Sequence, residues 1–142
     1  MRISIGNDHA GVDYKKYILE YLFVKEVEVK NYGTDSLESV DYPDFAHPVS
    51  QDINDQSSDL GILICGSGNG VCMTANKYEK VRAALCWNKE LAKLSKSHNN
   101  ANIVCIPARF VDKELALEIV KTFISENFEG GRHERRVNKI SK

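Results

Sequence analysis

Cys65-Gly66-Ser67-Gly68-Asn69-Gly70 sets a thiol and a hydroxyl two residues apart inside a glycine-rich turn. A cysteine at the end of a buried strand, just before a helix N-terminus, is placed to act as a thiolate, and so as a base or nucleophile. Alternating glycines allow backbone N–H groups to turn inward, and such a nest holds a phosphate or a developing oxyanion. A turn required only for strand–helix packing is the alternative. Three familiar phosphate loops are excluded by particular residues. The dinucleotide fingerprint started at Gly66 needs a small residue where Val71 stands. The GxxxxGK[ST] loop lacks its lysine, and a phosphatase-type Cys loop would need an arginine at position 71.

A second cluster of reactive types lies in Asn7-Asp8-His9-Ala10-Gly11, where Asp8 and His9 either contact a ligand or cap the following helix. His98 falls in the polar run Ser97-His98-Asn99-Asn100-Ala101-Asn102, for which a solvated loop is the plainer reading. His47, next to Pro48, reads as surface or packing. Arg132 and Arg136 stand four apart in Gly130-Gly131-Arg132-His133-Glu134-Arg135-Arg136, so on a helix they share a face. Two guanidiniums so placed suit a phosphate; an ordinary basic tail is the alternative. Arg109 joins them as a candidate at a strand's carboxyl edge. Cys72, Cys86 and Cys105 read as buried structural thiols.

The elements that must position these groups alternate along the chain. Apolar or β-rich runs predict strands at Arg2–Gly6, Val27–Asn31, Leu60–Cys65, Arg82–Cys86 and Asn102–Ile106, several of them continuous enough for burial on both faces of a parallel sheet. Helical spacing marks Val12–Val24, Asp44–Ile53, Gly70–Tyr78, Lys89–Lys96 and Lys113–Ser125, with Asn88 and Asp112 as N-caps of the last two. A short basic helix closes the chain at about 131–142. The expected architecture is an α/β doubly wound, Rossmann-like domain spanning 1–142, with a five-stranded parallel sheet in the order 2-1-3-4-5 and helices on both faces. In that order the loops after strands 1 and 3 are neighbours at the topological switch point. A carboxylate, an imidazole, a thiol and a hydroxyl then converge on one pocket.

Lys and Arg total 19 against 20 Asp and Glu, a formal charge of -1, so no broad basic field is available to hold nucleic acid. No apolar run approaches a membrane span, and the polar N-terminus carries no signal-peptide core. Cysteines without CxxC spacing point to reduced thiols and a cytoplasmic home.

Taken together, NDHAG, SVDYPDFA, LICGSGNG, SHNNANI and GGRHERR resemble the ribose-5-phosphate isomerase B family, in order and over essentially the full chain. That family also includes allose-6-phosphate isomerases and galactose-6-phosphate isomerase subunits. The resemblance implies aldose–ketose isomerisation through a cis-enediolate, with no cofactor and no metal, in a homodimer or dimer of dimers. On it, Cys65 is the base, and Ser67 with the amides around Gly66, Gly68 and Gly70 stabilises the enediolate oxygen. His98 assists ring opening, and Asp8 and Tyr42 contact sugar hydroxyls. His9, Arg109, Arg132 and Arg136 bind phosphate, and Asn99 also contacts substrate. Ser67 replaces a threonine common in relatives. Val71 stands where another branch carries a glutamate base, which favours the thiolate.

Helices that follow strands run back toward the strands' amino ends. His98 and the C-terminal arginines should therefore lie far from the Cys65 of their own chain, and a second subunit is expected to supply them. Outside the resemblance, a nucleotide-binding module on the same architecture and a thiol redox protein are the competing classes; another phosphorylated aldose is the rival substrate.

Overall fold

The computed structural model describes residues 1–141; Lys142 lies outside the described residues. In chain order the elements are β1 (Arg2–Asn7), α1 (Val12–Val24), β2 (Glu28–Asn31), α2 (Tyr42–Asn54), β3 (Leu60–Cys65), α3 (Asn69–Ala75), β4 (Ala83–Leu85), α4 (Lys89–Ser97), β5 (Ile103–Pro107), α5 (Lys113–Ser125) and α6 (Arg132–Val137). A 3₁₀ turn, His9–Gly11, separates β1 from α1.

All strand pairs are parallel, and the sheet order is β2-β1-β3-β5-β4. The expected α/β class holds, whereas the order 2-1-3-4-5 is corrected: β5 sits inside the sheet and β4 forms the edge. Burial explains the exchange. The Ile-Val-Cys-Ile-Pro run of β5 is buried along its whole length, and it pairs with β3 from Gly61↔Ile103 to Cys65↔Pro107. The short Ala-Ala-Leu of β4 is only half-buried. A continuous apolar strand needs neighbours on both sides, while a short strand is the cheaper one to leave at an edge. The switch point between β1 and β3 is unaffected.

Two apolar layers follow from the alternation of side chains along the strands. On one face Ile3, Ile5, Ile62, Ile64, Val104 and Ile106 pack with residues of α1, α4 and α5, such as Ile18, Leu22, Ala92 and Phe123. On the other, Leu63, Cys65, Ile103 and Cys105 meet Val49 and Ile53 of α2 and Val71 and Ala75 of α3. Each fully buried Ile or Leu contributes about 1.5–3 kcal/mol. Small residues bring α2 close: a Cβ on Gly6 would lie 2.4 Å from the Phe45 carbonyl oxygen. Ser4 Oγ donates to Asp52 Oδ2 at 2.6 Å.

The N-caps expected of Asn88 and Asp112 are present: their side-chain oxygens accept from Leu91 N and Leu115 N at 2.8 and 2.7 Å. Helix α6 is shorter than the 131–142 segment anticipated, ending at Val137. Among the described residues no helix is long and apolar enough to cross a membrane.

Candidate active site

Three strand ends meet at the carboxyl edge of the sheet. Asp8 N donates to Ile64 O at 3.1 Å, which clips the turn after β1 onto β3. Ala108 N and Arg109 N donate to Cys65 O and Gly66 O at 2.9 and 3.0 Å, which clips the turn after β5 onto β3 from the other side. The interior position of β5 thus gives the Cys65 loop a second neighbour that the expected strand order did not provide.

Cys65 is nearly fully buried, and the Gly68 N–H donates to its Sγ at 3.2 Å. A donor aimed at sulfur is what a thiolate requires. Gly68 is the one residue of the loop in left-handed conformation, φ 74°. A Cβ there would also lie 2.4 Å from Leu85 Cδ1, so glycine is required twice over. The anticipated nest is therefore partly engaged by its own side chains: Gly68 N–H by Cys65, and Asn69 N–H by Ser67 Oγ at 3.3 Å.

Tyr42 and Arg109 close over the other glycines. A Cβ on Gly70 would lie 2.5 Å from Tyr42 Cζ, which places the phenol ring directly on Gly70. A Cβ on Gly66 would lie 3.1 Å from Arg109 Nη1. Ser67 is exposed and, with Asn69, Leu85, Trp87, Pro107 and Phe110, lines a pocket of about 270 Å³.

Asp8 caps the turn after β1. One carboxylate oxygen accepts from Ala10 N at 2.9 Å and caps the 3₁₀ turn; among the described residues no hydrogen bond engages the other. His9 Nδ1 accepts from Val40 N at 3.2 Å. With Nδ1 engaged as the acceptor, Nε2 is the ring nitrogen left to donate to an anion.

The remaining candidates lie at the opposite end. Arg82, just before β4, donates through Nε to Asn100 O at 2.8 Å, which anchors the His98–Asn100 turn at the amino end of the sheet. His98 ends α4, and its ring stacks on His133 of α6 with centroids 4.1 Å apart and planes 11° apart. Burial first, then His98 and Arg132, hold His133 below the ordinary histidine range. Exposed Arg132 and Arg136 extend from the same short helix, and exposed Asn99 lines a hollow with Arg82 and Ile140. A larger hollow of about 690 Å³, also at this end, is lined by residues including Arg2, Ser58, Arg82, Lys96 and Asn102, with no cysteine or histidine among them.

The fold thus brings together Asp8, His9, Tyr42, Cys65, Gly66, Ser67, Gly68, Gly70 and Arg109, and separates from them His98, Asn99, Arg132 and Arg136. Against known sequences, the sequence model described as Ribose/Galactose Isomerase matches residues 3–140. The chain belongs to the ribose/galactose isomerase family. Among its relatives, ribose-5-phosphate isomerase B of Escherichia coli is 40% identical over 140 residues, covering 99% of this chain and 94% of that one. The crystal structure of a ribose 5-phosphate isomerase from Thermotoga maritima superposes with a TM-score of 0.95 at 50% identity, covering 99% and 97% of the two chains. Ribose-5-phosphate isomerase B from Mycoplasma genitalium, solved with bound ribulose-5-phosphate, gives 0.94 at 46% identity, covering 98% and 93%.

Within this member of the ribose/galactose isomerase family, several supporting residues escaped the sequence reading. Lys15 is wholly buried and reaches Thr34 O at 2.8 Å and Asp35 Oδ1 at 2.6 Å. Asn7 Nδ2 also donates to Thr34 O at 3.0 Å. Together they draw the 33–41 loop, and with it Val40, against His9. A lysine in the run Tyr14-Lys15-Lys16 reads as solvated, so only the buried face of α1 could have singled it out. Glu129 was missed as well, although its spacing of four from His133 was visible. The other thiols behave as structural groups: burial pushes Cys86 up to about 11 and Cys105 well upward. Cys72 lies against Cys105, and all four cysteines are free.

Proposed function

We propose that this chain interconverts ribose 5-phosphate and ribulose 5-phosphate, with Cys65 as the base. The observation that carries the reading is the Gly68 N–H donating to a buried Cys65 Sγ at 3.2 Å, beside Asp8, Tyr42 and Ser67. The bound ribulose-5-phosphate of the Mycoplasma genitalium relative supports the substrate.

Cys65 thiolate takes the proton from C2 of the open aldose, and the electron pair moves to the C1 oxygen to give a cis-enediolate. The O2 proton passes to O1, Cys65 returns its proton to C1, and the C2 carbonyl of the ketose forms. Ser67 Oγ and loop amides not engaged by side chains stabilise the oxyanion, a contribution typically worth 10²–10³ in rate per donor, roughly. Asp8 and Tyr42 hold sugar hydroxyls. His9 Nε2–H and Arg109 donate to the phosphate, whose remote binding energy orients the reacting carbons.

A second copy of the chain completes each site. Its α6 brings Arg132 and Arg136 to the phosphate, and its His98 and Asn99 reach the sugar ring, where His98 assists opening. Four free cysteines fit a reducing, cytoplasmic setting.

The test is conversion of ribose 5-phosphate to ribulose 5-phosphate by wild type and Cys65→Ala. Activity lost with Cys65 supports the reading. A wild type that converts only allose 6-phosphate would move the substrate but keep the chemistry. Inactivity on both sugars would overturn it.

A further inference from the structure

Glu129, His98 and His133 form a cluster that the isomerase chemistry above does not use as a unit. Glu129 Oε2 lies 3.9 Å from His98 Nε2 and 3.6 Å from His133 Nε2. These separations are too long for hydrogen bonds, which fall at about 2.7–3.2 Å. They are close to the spacing of neighbouring ligands around one small cation: with metal–nitrogen and metal–oxygen bonds of about 2.0–2.2 Å, tetrahedral ligands stand about 3.3–3.6 Å apart. All three candidate ligand atoms lie within 4.8 Å of one another.

We propose that His98, His133 and Glu129 form a zinc site, at which an occupying ion withdraws His98 from catalysis. Two imidazoles and one carboxylate are the ligand set of open zinc sites, and imidazole selects zinc over magnesium or calcium. The frame is partly built. His133 is held in the protein with only 8% of its surface exposed, and Glu129 N donates to Ser97 O at 3.0 Å, which fixes the glutamate backbone beside His98. The two rings are stacked with planes 11° apart, so shared ligation of one ion requires one ring to tilt. His98, with 36% of its side chain exposed, is the ring free to do so, and Glu129 at 56% leaves an entry path. Arg132 and Arg136 on α6 oppose a cation, which keeps the affinity modest.

The inhibitory consequence rests on the assignment of His98 to ring opening; the metal site itself does not. Zinc binding is to be measured by competition with a chromophoric chelator on wild type, Glu129→Gln and His98→Asn, alongside the isomerase rate. The expected result is one zinc per wild-type chain, with affinity reduced about tenfold or more in either variant. Cobalt(II) in the same site should show no thiolate charge-transfer band. Equal binding by Glu129→Gln, or a thiolate band that assigns the ion to a cysteine, would overturn the site. Zinc should slow wild type more than Glu129→Gln, each relative to its own metal-free rate. Binding that depends on Glu129 but leaves the rate unchanged would support the site and remove His98 from the mechanism instead.

Discussion

The ammonium of Lys15, wholly buried on the inner face of α1, ends 2.6 Å from the carboxylate of Asp35, whose side chain is 77% exposed. The pair joins the first helix to the loop that carries Val40, and Val40 N–H in turn holds His9. Lys15 holds the Asp35 carboxyl below the ordinary aspartate range, chiefly by hydrogen bonding and then by charge. A depressed folded value means the stabilisation is fully present above the unfolded value, near pH 4, and is lost as pH falls through the lower folded value. Asp35→Asn should therefore flatten the decline of stability on acidification below about pH 4. Urea midpoints for wild type and variant between pH 2 and 5, roughly, decide it. Parallel curves would show that the contact does not persist in solution.

Gly68→Ala should be far more harmful than its size suggests. The residue sits at φ 74°, and the new Cβ would meet Leu85 Cδ1 at 2.4 Å and the Pro107 backbone nitrogen at 3.2 Å. Left-handed strain alone costs about 1–3 kcal/mol. Displacing the amide from Cys65 should lower kcat by about 10²–10³, as loss of a preorganised donor does. The alkylation rate of Cys65 by iodoacetamide separates this from simple unfolding. A folded variant with unchanged thiol reactivity would mean that the amide does not stabilise the thiolate.

Gly70→Ala separates stability from binding. Its Cβ would collide with the far end of the Tyr42 ring, 2.5 Å from Cζ, and Tyr42 is 41% exposed and free to swing out. The expected stability change is under about 0.5 kcal/mol. KM for ribose 5-phosphate should rise several-fold, and Tyr42→Ala should show a similar rise. If KM is unchanged in both, the phenol does not contact substrate.

Much of this was legible in the sequence, and the departures have physical reasons. A continuous apolar run gave β3 its limits, and helical spacing gave α1 and α5 theirs, because burial and period are written in residue type. Helix α2 begins at Tyr42 rather than Asp44 because Pro43 is accepted in a first turn that needs no N–H from it. Helix α3 stops at Ala75, where Asn76 turns its side chain to both the N–H and the carbonyl of Ala83 at 2.9 Å and starts β4. The exchange of β4 and β5 depends on which strand can tolerate an edge, a comparison between strands that no single window contains. The meeting of the Asp8 and Cys65 loops could be assembled from the β1–β3 adjacency alone, whereas Arg109 reaches them only because β5 lies beside β3. The burial of Lys15 could not be read that way, because its partners lie in a loop without periodicity.

Sharing of sites between subunits has a direct test in the distance between the two residue groups. His98 closes a helix that returns to the amino end of the sheet, whereas Cys65 ends a strand at the carboxyl end, and parallel strands put the thickness of the sheet's long dimension between them. A side chain cannot cross that gap within one chain, so the groups act together only if a second copy presents His98. Cys65→Ala and His98→Asn should each be strongly impaired. When the two chains are unfolded together and refolded as a mixture, half of the sites in each mixed dimer carry both changes and the other half carry neither. Activity should therefore return toward about a quarter of wild type, since mixed dimers form about half of a random mixture and each holds one intact site. Confirmed mixed dimers without recovered activity would place Cys65 and His98 in separate functions and remove His98 from the site.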